Sequence, residues 1–169
     1  GTVTAATATS LTVTLSTSPT TAGDLTAVVT TNTLDNGSAV KVATVIPVVT
    51  SSTTNLVANG STVVINGFGF DPTIAKNLVT LNNGAIGDVT SATATSITVT
   101  FSTKPATAGS LTAIVSTGGI SNSSAVQVAT VTPVVTSSSV DLAADASTLT
   151  INGFGFDPTA ANNTVTLTN

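Results

Sequence analysis

The residues best suited by type and spacing to chemistry are Gly67-Phe68-Gly69-Phe70-Asp71-Pro72-Thr73, which occur again as Gly153-Phe154-Gly155-Phe156-Asp157-Pro158-Thr159. Closely spaced glycines can open a phosphate loop, in which backbone N–H groups at a helix start hold an anion. A third glycine and any following helical pattern are missing, so the segment is read as a structural turn. Asp71 and Asp157, each before proline, are candidate Ca²⁺ ligands, since that ion takes roughly six to eight oxygens and backbone carbonyls and Asn side chains can complete the set. The favoured alternative is an Asp that stabilises its own turn through the neighbouring backbone. Asp141 and Asp145 resemble an acidic pair, but the equivalent positions earlier in the chain are Asn55 and Asn59, which points to a solvated loop.

Composition removes most other chemistry. The chain has no His, Cys, Met, Trp, Tyr, Glu or Arg, while Thr fills roughly a fifth of its positions. Without His or Cys there is no triad base, no thiolate nucleophile and no ordinary zinc, copper or haem site, so neither enzyme activity nor a cofactor is expected. Three Lys against seven Asp, a net charge of −4 and 3% aromatics leave no basic stripe for phosphates and few rings for bases, which argues against nucleic acid as a partner. Apolar residues make up 41%, enough to bury a core, in runs too short to span a membrane.

Other surface chemistry finds little support. An isopeptide cross-link needs a Lys facing Asn or Asp beside an acid, and Lys41, Lys76 and Lys104 have Gln127, Asn162 and Ser18 as their equivalents. The Thr-x-Thr steps Thr12 to Thr14 and Thr98 to Thr100 follow from strand alternation and β-propensity rather than from an ice-binding ladder. Asn36-Gly37-Ser38, Asn59-Gly60-Ser61, Asn122-Ser123-Ser124 and Asn162-Asn163-Thr164 fit the N-glycan acceptor pattern, so glycans join the candidate partners.

The elements that must position these residues are set by an internal repeat. Residues 1–83 return as residues 87–169, about two-thirds identical, with a period of 86 given by Ile65 and Ile151 (151 − 65 = 86) and by Ala43 and Ala129 (129 − 43 = 86). Arrays of one small module more often build length and surface than active sites.

Within one period, apolar and polar residues alternate as in half-buried strands. Ile97, Val99 and Phe101 point one way between Thr98, Thr100 and Ser102; Leu111 and Val115 share a face; Val63 with Ile65, Val79 with Leu81, and Val126 with Val128 repeat the pattern. These residues are the candidate core. Asn59-Gly60, Asn83-Gly84, Lys104-Pro105 with Ala108-Gly109, and Thr117-Gly118-Gly119 separate the strands as turns. About seven short strands per period, with no helical periodicity, predict an all-β fold of tandem immunoglobulin-like β-sandwiches.

Pro47-Val48-Val49, Ile65-Asn66-Gly67-Phe68-Gly69-Phe70, Asn77-Leu78-Val79-Thr80-Leu81, Thr95-Ser96-Ile97-Thr98-Val99 and Ala108-Gly109-Ser110-Leu111 together resemble the IPT/TIG immunoglobulin-like domains of bacterial surface proteins. The likeness spans a whole period. It implies a bacterial protein, extracellular or on the cell surface, in a family whose domains serve as spacers, adhesin stalks and enzyme appendages alike. It also implies that Gly67 and Phe70 match the family's Gly and Phe at the end of the second strand, with Phe70 sealing the core.

The junctions run without a flexible linker. Val45 and Pro47, then Val131 and Pro133, carry the last strand of one module into the first of the next, and proline stiffens the passage, so a stiff rod is expected. Modules that begin near Ile46 and Thr132 divide the chain into residues 1–45, the later part of a module; 46–131, a complete module; and 132–169, the first part of a module with its first three strands. Together 38 + 45 = 83 residues make up one module less three, equivalent to Gly84-Ala85-Ile86 in a hairpin loop. Each part alone would expose an apolar face and unpaired edges. Without an initiator Met or signal peptide, the chain is read as a processed product or a piece of a longer array, the favoured reading. In the alternative, the first part of a module in one copy completes the later part in the next, so the partner is the chain itself, head to tail. The expected function is that of a structural extracellular filament, sheath or surface stalk, a polymer of such modules, with an adhesin or carbohydrate-binding immunoglobulin-like module array as the competitor.

Overall fold

The computed structural model describes residues 1–168, and the described residues are all-β except for single 3-10 turns at Ile74–Lys76 and Ala160–Asn162. The last residue of the 132–169 segment lies outside the described residues. Residues 1–45 hold β1 (Thr2–Ala6), β2 (Leu11–Thr14), β3 (Gly23–Ala27), β4 (Thr30–Thr31), β5 (Leu34–Asp35) and β6 (Val40–Val45). The middle segment follows with β7 (Val48–Val49), β8 (Asn55–Val57), β9 (Thr62–Phe68), β10 (Asn77–Leu81), β11 (Ile86–Ala92), β12 (Ser96–Thr103), β13 (Gly109–Thr117), β14 (Ile120–Ser121) and β15 (Val126–Thr132). Among the described residues, only β16 (Val134–Val135) and β17 (Gly153–Phe154) come after it.

Alternation builds the middle segment. Along β9 the buried Val63, Ile65 and Gly67 alternate with exposed neighbours, and along β13 Leu111, Ala113, Val115 and Thr117 face inward. One sheet runs β11-β12-β9-β7, and the other β10-β13-β15-β8 with β14 on β13. Their inner faces share one core, in a β-sandwich-like arrangement. Ile65, Phe70, Ile97, Val99, Leu111 and Val115 are fully buried, Val63 and Val128 nearly so, and Val79, Leu81, Phe101 and Val126 pack partly buried around them.

Nine strands lie between Val48 and Thr132, where the sequence predicts about seven. Two of the nine are two-residue arms: β7 beside β9, and β14, the return of the Gly118-Gly119 turn, whose residues sit at φ 58° and 85°. The parallel pairing of β8 with β15, Val131 facing Leu56, has no sequence signal, because strand direction is not written in alternation.

Pairings recur at the 86-residue offset. β1 and β2 pair Ala6 with Leu11, as β11 and β12 pair Ala92 with Ile97, and an irregularity falls between Val3 and Ala5 as between Val89 and Ser91. β3 and β6 pair Gly23 with Val45, as β13 and β15 pair Gly109 with Val131. Residues 132–168 differ from expectation here. The sequence predicts three strands, yet β17 has two residues where β9 has seven, and residues 163–167 form no strand where β10 does. The reason is hydrogen bonding: β9 is held by β12 and β10 by β13, and among the described residues no equivalents of β12 and β13 lie beside the last segment.

Candidate functional site

The Gly-Phe-Gly-Phe-Asp turn is built by close backbone approach. A side-chain carbon on Gly67 would lie 2.0 Å from the Val48 carbonyl oxygen and 2.5 Å from the Phe70 ring, and Gly153 meets Val134 and Phe156 at the same distances. Gly69 and Gly155 adopt φ 79° and 76°, the left-handed region that favours glycine. Asp71 then accepts the Thr73 backbone N–H at 2.8 Å, and Asp157 that of Thr159 at 2.8 Å. The Thr73 N–H foremost, with the Thr73 side chain and Lys76 behind it, holds the Asp71 carboxyl below its ordinary value despite slight desolvation; Thr159, then Asn162, does the same for Asp157.

Behind the turn Asn77, a buried residue, accepts the Asp71 N–H at 3.1 Å and donates to the carbonyls of Asp71 at 2.6 Å and Thr73 at 3.2 Å, while Thr117 donates its hydroxyl to Asn77 Oδ1 at 2.9 Å. Asn163 makes the equivalent backbone bonds around Asp157. Each carboxylate is therefore engaged in its own turn. Among the described residues no group of three or more carboxylates converges as a metal site. Lys41 pairs with Asp24, both more than half exposed, which is not the buried setting that isopeptide chemistry needs.

The junctions use the same turn. Val45, half-buried, leads through buried Pro47 into β7, and Val131, buried, leads through Thr132 and exposed Pro133 into β16. The segment after Pro47 carries two four-membered strand paths, β11-β12-β9-β7 and β10-β13-β15-β8, whereas among the described residues the segment after Pro133 carries only the β16–β17 pair. Ala22 donates its N–H to the Gly69 carbonyl at 2.8 Å, and Ala108 donates to Gly155 at 2.8 Å. Buried Ala58 presses on Gly155, where an added Cβ would meet its methyl at 2.6 Å. Lys104 Nζ stands 5.9 Å from the Phe154 ring centre, a cation–π contact across the second junction.

The outer segments carry the largest anomaly. Leu11 is 45% exposed where its equivalent Ile97 is 0%, and Val42 is 60% exposed where Val128 is 3%. At the other end Val135 is 65% exposed against 7% for Val49, and Leu149 is 51% exposed against 6% for Val63. Val135, Leu149, Ile151, Phe156, Val165 and Leu167 line an open trough of about 660 Å³, and their equivalents in the middle segment belong to or pack against its core. The sequence names Ile151 and Phe156 only as markers of the repeat and leaves Val135, Leu149, Val165 and Leu167 unnamed, although the 86-residue offset relates each of them to a residue in or against the middle core.

No family model, no curated protein and no solved structure matches the chain. Among the described residues, no helix is long and apolar enough to cross a membrane.

Proposed function

We propose that the chain is a structural, non-enzymatic repeat protein of an extracellular bacterial filament, sheath or surface stalk, built from immunoglobulin-like modules of the IPT/TIG kind set in a stiff line. Residues 46–131 act as one complete module, and residues 1–45 and 132–169 act as module parts that adjoining protein closes. One observation carries this reading: side chains that form the core of the middle segment stand exposed at equivalent positions on both sides of it. Exposed apolar faces on this scale call for a cover. The proline-stiffened junctions and the repeated Ala22–Gly69 and Ala108–Gly155 bonds support a fixed relation between successive modules. With only 6% of its residues charged, the chain offers weak repulsion between neighbouring rods, which favours bundling.

Electron microscopy of the concentrated chain, paired with a glycan array, tests the proposal. Ordered fibres with no selective sugar binding support it. Selective glycan binding by a chain that forms no ordered assembly overturns it in favour of an adhesive module.

A further inference from the structure

We infer that residues 132–168 of one copy seat on residues 1–45 of a second copy of this chain, in the strand register that the middle segment uses within itself. The inference rests on the module reading proposed above and adds the partner, the register and the direction.

Every principal sheet of the middle segment draws strands from both sides of the Asn83-Gly84 hairpin. β9 pairs with β12, β10 with β13, and β8 with β15. Residues 1–45 already hold the later of these strands in correct mutual pairing, as β1 with β2 and β3 with β6. They lack the earlier ones. Residues 132–168 hold the earlier sequences with only β16 and β17 paired.

Transferring the observed register by 86 residues fixes the contacts. Ile97 faces Ile65, so Leu11 should face Ile151; Val99 faces Val63, so Val13 should face Leu149. In the second sheet Val79 faces Val115, which sets Val165 opposite Val29. The substitutions between equivalents keep apolar character and nearly keep volume, as a shared core requires. Polar matching follows as well: Asn163 already holds the Asp157 turn as Asn77 holds that of Asp71, and Thr31 stands where Thr117 supplies the hydroxyl.

One copy cannot make these contacts with itself. Thr21 meets Gly69, beside the start of β12, where Phe70 donates its N–H to the Ala94 carbonyl; Thr107, beyond the end of β12, meets Gly155. The outer segments thus join opposite ends of an eight-residue strand, which spans roughly 26 Å at about 3.3 Å per residue. Two different surfaces at opposite ends make a heterologous contact, which leaves a free end at each step and propagates.

Cysteine pairs in the full chain test the register, since the protein has no cysteine of its own. Thr98 faces Val64 and Ser116 faces Leu78 on outward positions, so Thr12→Cys with Thr150→Cys, and Thr30→Cys with Thr164→Cys, should each link neighbouring copies. Facing residues on antiparallel strands lie about 4.5–5.5 Å apart at Cα, within disulfide reach. The crossed pair, Thr12→Cys with Thr164→Cys, places the thiols on the outer faces of two sheets whose backbones lie about 10 Å apart, beyond disulfide reach, and serves as the control. Under mild oxidation the matched pairs should give a ladder of covalent multimers, at least about tenfold more than the crossed pair. Mixing the Thr12→Cys and Thr150→Cys single variants should yield their mixed dimer. Equal linking by the crossed pair, or linkage confined within single chains, overturns the inference. Fibres that form without register-specific linkage overturn the register and leave the filament proposal standing. Register-specific dimers from a chain that never makes fibres uphold the pairing and overturn the filament.

Discussion

The backbone N–H of Ala108 donates to the carbonyl oxygen of Gly155 across 2.8 Å, and Ala22 and Gly69 repeat the bond at the same length 86 residues earlier. A glycine with positive φ presents its carbonyl to the preceding segment at both places. The motif whose glycines suggest an anion loop therefore serves as a joint.

Replacing Gly67 with Ala drives a methyl into the Val48 carbonyl and the Phe70 ring. Backbone cannot yield as a flexible side chain does, so the middle segment should lose about 3 kcal/mol in denaturant unfolding. Gly109→Ala, where nothing lies within 4 Å but φ is 134°, should cost less, about 1–2 kcal/mol, from backbone strain alone.

Asn77→Ala removes a buried amide that ties Asp71, Thr73 and Thr117 together and leaves their partners unsatisfied. A loss of about 2–3 kcal/mol is expected in the same unfolding measurement. Asn163→Ala, on an exposed turn in a dilute chain, should change stability by about 0.5 kcal/mol or less.

Acid should loosen the turns. A carboxyl whose folded pKa is lowered binds fewer protons folded than unfolded. Its stabilisation is present above the unfolded value and lost as pH falls through the folded one. For Asp71 and Asp157 that window lies below the ordinary aspartate value of about 3.9. Asp71→Asn keeps a side-chain oxygen for the Thr73 N–H but cannot titrate, so its unfolding midpoint should fall less steeply than that of the natural chain between neutral pH and pH of about 3.

Ile97→Ala opens a cavity in a closed core and should cost about 2–5 kcal/mol at any protein concentration. Leu11→Ala changes the equivalent but exposed residue, so its cost should be about 0.5 kcal/mol or less in the dilute chain and should emerge as weakened assembly in the concentrated one.

Alternation over Ser96–Thr103 and the Gly118-Gly119 turn were legible in the sequence because both depend on neighbours in the chain. The parallel β8–β15 contact and the Asn77 hub were not, since they depend on residues brought together only by folding. Leu149 illustrates the limit: it and its equivalent Val63 share a local pattern, yet one is exposed and the other buried, because burial belongs to the strands opposite. Asp71 and Asp157 read ambiguously for the same reason, as metal ligation and turn capping need the same carboxylate before proline.

Sedimentation of the 169-residue chain over a wide concentration range tests most directly whether its two ends need a neighbour. Open-ended joining predicts an average mass that keeps rising with concentration, without settling at a dimer. A mass fixed at one chain throughout, in a tightly folded particle, would contradict the account.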